Sequence, residues 1–183
     1  MTGEPTKEHR TGRLRLRQWT AADREPFARL NADALVMKYF STMLSRATSD
    51  ALADVIEDHI AQHGWGLWAV EVPGVTPFAG FTGLWPATFE AHFTPAVEVG
   101  WRLTRSAWGH GYATEAALAA LDYAFSVAEL DEIVSMTAVT NVRSQRVMQR
   151  IGMTHDPADD FEHPNVPDGH RVKPHVLYRI RHP

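Results

Sequence analysis

Two glycines one residue apart stand directly ahead of an Ala-rich run, in Trp108-Gly109-His110-Gly111-Tyr112-Ala113-Thr114-Glu115-Ala116. The run from Tyr112 to about Ser126 reads as a helix, and the stretch before the glycines, Ala96 to Leu103, reads as a strand. A strand feeding a helix through paired glycines suits a sheet with helices on its faces. Glycines at such a junction let the backbone approach a ligand closely. The free N–H groups of the first helical turn, together with the helix dipole, favour a phosphate there. By itself a Gly-x-Gly is a weak signal, since most such pairs are turns or helix starts.

The remaining elements give the sheet a mixed character. Residues 1–12 read as a polar, disordered lead, and 13–183 as a single domain. Arg13 to Arg17 alternates like a half-buried strand. One helix starts at the N-cap Thr20, with Asp23 in its first turn and Phe27, Leu30 and Ala34 at helical spacing. A second starts near Ser49, carries Leu52, Val55, Ile56 and Ile60 on one face, and ends at Gly64. Leu67 to Val72, Phe78 to Trp85 and Ala96 to Leu103 form a meander. After the Ala-rich helix come a strand from Glu132 to Thr137, a short helix from Arg143 to Ile151 stopped by Gly152, and a closing strand from Val176 to Ile180. Hairpins first and a crossover later predict a mixed α/β sheet flanked by helices.

Composition narrows the function. A formal charge of -4 leaves no basic footprint for nucleic acid. With no cysteine, a disulfide framework, a thiolate metal site and a Cys nucleophile are excluded. His155, His163, His170 and His175 match no metal-ligand spacing, so no metal is expected. No secretory signal and no apolar run of membrane-spanning length is visible, and a cytoplasmic protein with no membrane partner is the default.

Three phosphate-binding loops compete for the glycine pair. A nucleoside-triphosphate loop requires Gly-Lys-Ser/Thr, whereas Gly111 is followed by Tyr112-Ala113. A dinucleotide fold wants a third glycine where Thr114 stands, and an acid near the end of the next strand, whereas Asp131 and Glu132 lie at its beginning. The third is the pyrophosphate loop of acyl-CoA, and here the segment resembles the GNAT superfamily of N-acetyltransferases. The family loop Q/R-x-x-G-x-G/A maps onto Trp108-x-x-Gly111-x-Ala113, with Trp108 in place of Gln or Arg. The wording around it is similar to the RimJ/RimL-like branch, which acetylates N-terminal amines of ribosomal proteins. Upstream, Glu98-Val99-Gly100-Trp101-Arg102-Leu103 resembles the family's fourth strand, whose backbone pairs with the pantetheine arm. Downstream, Asn141-x-x-Ser144-x-x-Val147-Met148-x-x-Ile151-Gly152-Met153 resembles the helix beside the CoA thiol.

The resemblance implies a GNAT fold, a seven-stranded sheet splayed at its centre, with acetyl-CoA or a similar acyl-CoA as cosubstrate entering between two parallel strands. It places Trp101, Arg102, Leu103, Trp108, Gly109, His110, Gly111, Tyr112, Ala113, Thr114 and Asn141 along the cofactor. Acyl transfer to an amine needs a base, an oxyanion donor and an acid. By strand alternation Glu98, Gly100 and Arg102 share a face, so Glu98 borders the expected thioester. Its family position implies a general base, while a strand residue paired with Arg102 is the alternative. The oxyanion donor is expected among the backbone N–H groups of Val99 to Trp101. Many relatives carry a Tyr acid where Met148 stands, and Met cannot donate a proton. Ser144 is the nearest substitute, set against a helix-start serine that satisfies backbone groups. Tyr112 suits packing better than acid chemistry.

The implied activity is direct acyl transfer from acyl-CoA to a primary amine, on a peptide N-terminus or a small molecule. A different acyl donor such as succinyl-CoA and a non-catalytic acyl-CoA-binding module are the rivals, and a homodimer is one assembly left open. Aromatics at Trp19, Phe40, Trp65, Trp85 and Phe89 are candidates for core or acceptor pocket, and His163 to His170 reads as a mobile loop over the acceptor.

Overall fold

A computed structural model describes residues 8–182. In chain order its elements are β1 (His9–Arg10), β2 (Arg15–Arg17), α1 (Arg24–Asn31), α2 (Arg46–His63), β3 (Leu67–Val72), β4 (Thr76–Pro86), β5 (Val97–Leu103), α3 (Tyr112–Ser126), β6 (Glu132–Ala138), α4 (Val142–Arg150), β7 (Thr154–His155), β8 (Phe161–Glu162) and β9 (Pro174–Arg181). The sheet runs β1-β2-β3-β4-β5-β6-β9-β7, with β8 also on β9. Among the described residues it has nine strands rather than the seven expected, and three of them, β1, β7 and β8, are two-residue pairings at its margins.

Local chemistry explains the helix ends. The Thr20 amide donates to Asp23 at 2.8 Å in a capping box that opens a short 3-10 turn ahead of α1. Ser45 accepts from the Thr48 amide to start α2, and Gly64, at φ 78°, closes it. The buried stripe of α2 is Ser49, Ala53, Ile56 and Ile60. Val55, expected on that face, is 53% exposed, because one residue from Ile56 is about 100° around the helix.

Part of the expected disordered lead is ordered. His9 pairs with Leu16 and Arg10 with Arg15, and the His9 ring lies edge-on to Trp68 and Tyr123, each at 4.9 Å. The aromatic contact and the strand pairing hold 8–12, while residues 1–7 of that lead lie outside the described residues.

Every strand pairing is antiparallel except β5 with β6. That parallel contact registers at one pair, Glu98 with Val134, whereas β5 is paired to β4 along its whole length from Val97 to Leu103. The sheet therefore parts between β5 and β6 beyond Glu98. The two faces are covered differently. Phe81, opposite Arg102, meets Phe27 of α1 at 5.9 Å. Trp68, opposite Thr82, meets Tyr123 of α3 at 5.3 Å. Ala116, Ala117, Ala120 and Ala124 are fully buried, so the small side chains of α3 let that helix lie close to β4 and β5.

Strand β4 bends where neighbouring backbone crosses it. A Cβ on Gly80 would lie 2.1 Å from the Arg102 carbonyl oxygen, and one on Gly83 would lie 1.9 Å from that of Gly66. Both glycines have positive φ, 131° and 152°. Gly80→Ala and Gly83→Ala should each destabilise the fold by roughly 2–4 kcal/mol, because backbone rather than a pliable side chain would have to move. Urea denaturation of the two variants measures this.

Candidate active site

The loop between β5 and α3 is built to leave amides free. A 3-10 turn at Arg105–Ala107 leads into Trp108, then Gly109 and Gly111, both at φ 80°. Gly111 is the N-cap of α3 and offers no side-chain cap, so the first-turn amides of Tyr112, Ala113 and Thr114 have no intrahelical acceptor. A Cβ on Gly109 would meet nothing within 4 Å, which leaves open space over the loop.

Side chains hold the loop from two sides. The Trp108 indole donates to the Leu103 carbonyl at 2.9 Å, and the Arg143 guanidinium lies 5.0 Å from the centre of its ring. On the other side Arg13 donates to the His110 carbonyl at 2.9 Å and to Glu115 at 2.7 Å. Burial works to raise the Glu115 carboxyl, but hydrogen bonds from Thr11 and Arg13 outweigh it and hold the group below its usual range. Arg13 and Thr11 were not expected at this site. Nothing in an alternating strand segment marks a partner about 100 residues away. Tyr112 lies against Arg13 and stacks with His110 at 5.3 Å, in keeping with a packing role.

Glu98 and Arg102 sit on the β5 face turned towards α1. Glu98 is half-buried, and its carboxylate has no hydrogen bond or ion pair among the described residues. Burial pushes its pKa up to about 7. The alternative pairing with Arg102 is not formed, for Arg102 Nη1 donates instead to Asn31 Oδ1 at 2.5 Å. Trp101 and Leu103 alternate to the opposite face, so their side chains leave the site and only their backbone borders it. The Val99 carbonyl accepts from Ser135 of β6 at 2.9 Å. By strand alternation the Trp101 N–H and C=O point the same way, into the gap between β5 and β6.

Helix α4 lines the other side of the gap. Asn141 is its N-cap: Oδ1 accepts from the Ser144 amide at 3.3 Å, while Nδ2 donates to Thr137 Oγ1 at 2.8 Å. Both ends of that amide are engaged in the fold. The Ser144 side chain is half-buried in the first turn, and its hydroxyl makes no hydrogen bond among the described residues. Met148 is fully buried in the core.

The aromatic candidates divide. Trp19 is core, in contact with Phe27 and Phe78. Trp65 and Trp85 pack around His59, whose Nε2 is buried without a hydrogen bond. Trp85 is the residue opposite Glu98, so His59 flanks the site. No motif marks His59 in the sequence. Phe89 joins Phe93, Phe161 and Val134 in a separate apolar cluster. The segment 163–170, expected to be a mobile loop, is anchored. The His163 amide donates to the Lys173 carbonyl at 2.9 Å, and Val166 and Val172 are buried against Ala138. Burial, then the nearby His175 and Lys173, lower His163 to about 4. Among the described residues no cluster of three or more His, Cys, Asp or Glu is arranged to hold a metal, and no helix is long and apolar enough to cross a membrane.

Residues 13–154 match the family model of the acetyltransferase (GNAT) domain. The chain is 31% identical over 144 residues to the uncharacterized protein YkkB of Bacillus subtilis, spanning 78% of this chain and 83% of that one. It is 30% identical over 161 residues to FsC-acetyl coenzyme A-N(2)-transacetylase of Aspergillus fumigatus, spanning 79% of this chain and 64% of that protein. Its fold is similar to that of a GNAT-family acetyltransferase from Bacillus anthracis, with a TM-score of 0.78 at 23% identity over 96% of this chain and 98% of the other.

The raised pKa of Glu98 has a consequence for stability. The group ionises near the ordinary glutamate value of 4.5 in the unfolded chain and at about 7 in the folded one. Between those values the folded state holds the extra proton, so stability falls as pH rises through the interval and the loss is complete above about 7. Glu98→Gln removes the titration. Its melting temperature should exceed that of the parent by more at pH 8 than at pH 5, as followed by circular dichroism.

Proposed function

The chain belongs to the acetyltransferase (GNAT) family, and on that premise we propose that it transfers an acetyl group from acetyl-CoA to a primary amine by direct attack. The observation that carries this reading is the position of Glu98. It is the unpaired carboxyl, with a pKa of about 7, at the one registered pair before β5 and β6 part. The name of the Aspergillus relative couples acetyl coenzyme A to transfer onto a nitrogen, which supports the choice of acetyl donor.

In this reading the free amides from Gly109 to Thr114 receive the pyrophosphate, and Arg13 and Trp108 keep the loop open. The backbone of Trp101 to Leu103 runs beside the pantetheine arm. Glu98 takes a proton from the incoming ammonium, directly or through water, so that a neutral nitrogen can attack. The Trp101 N–H donates to the thioester oxygen as it gains charge. Ser144, whose hydroxyl makes no hydrogen bond among the described residues, passes its proton to the departing sulfur and takes the second proton of the attacking nitrogen, directly or through water, the task for which Met148 has no donor. Asn141 serves mainly by setting the start of α4, and hence the place of Ser144. The sequence likeness to the RimJ/RimL-like branch makes a peptide N-terminal amine one acceptor class and a small-molecule amine the other, in a cytoplasmic setting.

Two measurements test the reading. Gly111→Val puts a β-branched residue at φ 80° with its Cβ 3.5 Å from Arg13 Nη2, so it should distort the loop that presents the free amides and weaken CoA binding at least tenfold, about 1.4 kcal/mol, by calorimetry. A folded variant with unchanged affinity would move the cofactor elsewhere.

The second is the pH–rate profile. With Glu98 as base, kcat/KM rises with pH on a limb centred near 7, because the carboxylate form is the active one. Glu98→Gln should lower kcat/KM by about 10²–10⁴ at neutral pH and abolish that limb. The deficit should narrow at high pH, where free amine is abundant. Parallel profiles less than threefold apart would reduce Glu98 to a strand residue.

A further inference from the structure

Resting on the acetyltransferase reading, we infer that Arg102 selects the acceptor: its guanidinium binds a carboxylate that the amine substrate carries several bonds away from its nitrogen. Arg102 lies four residues beyond Glu98 on the same face of β5. Only one edge of its guanidinium is used, Nη1 to Asn31 Oδ1 at 2.5 Å. Nε is buried without a hydrogen bond, and Nη2 makes none among the described residues. The unused edge is the Nε–Nη2 fork, whose two parallel N–H groups match a carboxylate.

The fork is held in place. Phe40 lies 4.1 Å and Phe81 5.3 Å from the guanidinium carbon, measured to the ring centres. Asn31 is itself fixed, its Nδ2 donating to buried Ser49 at 2.8 Å. Phe40 is 41% exposed and belongs to the irregular stretch between α1 and α2, so one wall of the guanidinium site is at the surface.

Among the described residues no acidic side chain forms an ion pair with this cation. Asp33 pairs with Arg105 at 2.9 Å, Asp50 pairs with Arg46 at 2.8 Å, and Glu98 makes no ion pair. Burial lowers the Arg102 pKa to about 10, so it remains charged at neutral pH. A half-buried cation without an anion is costly to the fold, and a ligand carboxylate would supply the missing partner.

Spacing narrows the ligand. Four strand residues separate the α-carbons of Glu98 and Arg102 by about 13 Å. An α-amino acid, with one carbon between its amine and its carboxylate, is too short to reach both. An ω-amino acid or a dipeptide reaches them.

The test measures kcat/KM by thiol release for 6-aminohexanoate, hexylamine and glycine. In the parent protein 6-aminohexanoate should exceed both others by at least tenfold, and Arg102→Met should bring its ratio to hexylamine close to one. The Met side chain keeps apolar contact between Phe40 and Phe81, and losing an unpaired half-buried cation should leave the melting temperature equal or higher. Asn31→Asp, a second variant, places a carboxylate on Nη1 and should also reduce the ratio by satisfying the cation internally. A ratio near one in the parent, a ratio that survives Arg102→Met, or a preference for glycine would overturn the inference. A lower melting temperature with unchanged selectivity would make Arg102 a structural residue, and so overturn it too. If no amine releases thiol, the acetyltransferase reading fails by itself. Calorimetry of 6-aminohexanoate against the parent and Arg102→Met then decides the carboxylate site independently, binding lost in the variant supporting it and binding absent or unchanged refuting it.

Discussion

The site depends on the parting of β5 from β6. Parallel strands that stayed paired would consume each other's backbone groups, and no ligand could enter the sheet. Here registered pairing is limited to Glu98 with Val134. Ser135 satisfies the Val99 carbonyl with a side chain, at 2.9 Å, which ends the seam without leaving that acceptor bare. Beyond it the backbone of β5 faces open space on one edge while β4 holds the other edge from Val97 to Leu103. A half-bound strand of this kind is a rigid template for an extended ligand chain. Glu98 stands at the point where the two strands part.

The same strand carries two charges that the fold does not pair. Glu98 and Arg102 share a face with about 13 Å of extended backbone between their α-carbons, and no ion pair joins them, since Arg102 turns to Asn31. Each is shifted by burial in the direction that disfavours its charge, Glu98 upward and Arg102 downward. Surface ion pairs elsewhere, such as Arg24 with Asp54 at 2.7 Å, show that acidic partners are available to this chain. Leaving these two without a counter-ion among the described residues weakens the fold locally.

How much of this was legible depended on whether the cause was local. Helix α3 has the bounds its sequence predicts because Gly111 sets its start and the alanines its face. Strand β3 likewise matches Leu67 to Val72. The alternation of Glu98, Gly100 and Arg102 followed from the period of a strand. Long-range pairings were not legible: Arg13 with Glu115, Arg102 with Asn31, and His9 against Trp68 join segments whose sequences carry no mutual mark. Pro, Asp and Gly in 163–170 carry the composition of a free loop, while Val166 within it and Val172 just beyond bury their side chains against Ala138. The capping role of Asn141 depends on where α4 starts, which the residue type alone does not tell.

Trp108 brings these strands of reasoning together. The family loop usually has Gln or Arg at this place, and a tryptophan there contributes no charge to a phosphate. Its indole donates to Leu103, the last residue of β5, and its ring lies beneath Arg143, in the first turn of α4. The contact therefore spans the gap, joining the phosphate-loop side to the helix that bears Ser144. A cation over an aromatic ring contributes on the order of 0.5–1 kcal/mol at a partly exposed position. That contact ties the loop after β5 to the first turn of α4. A tryptophan in place of Gln or Arg therefore spends its side chain on the fold, and the first-turn amides of α3 beside it stay uncapped.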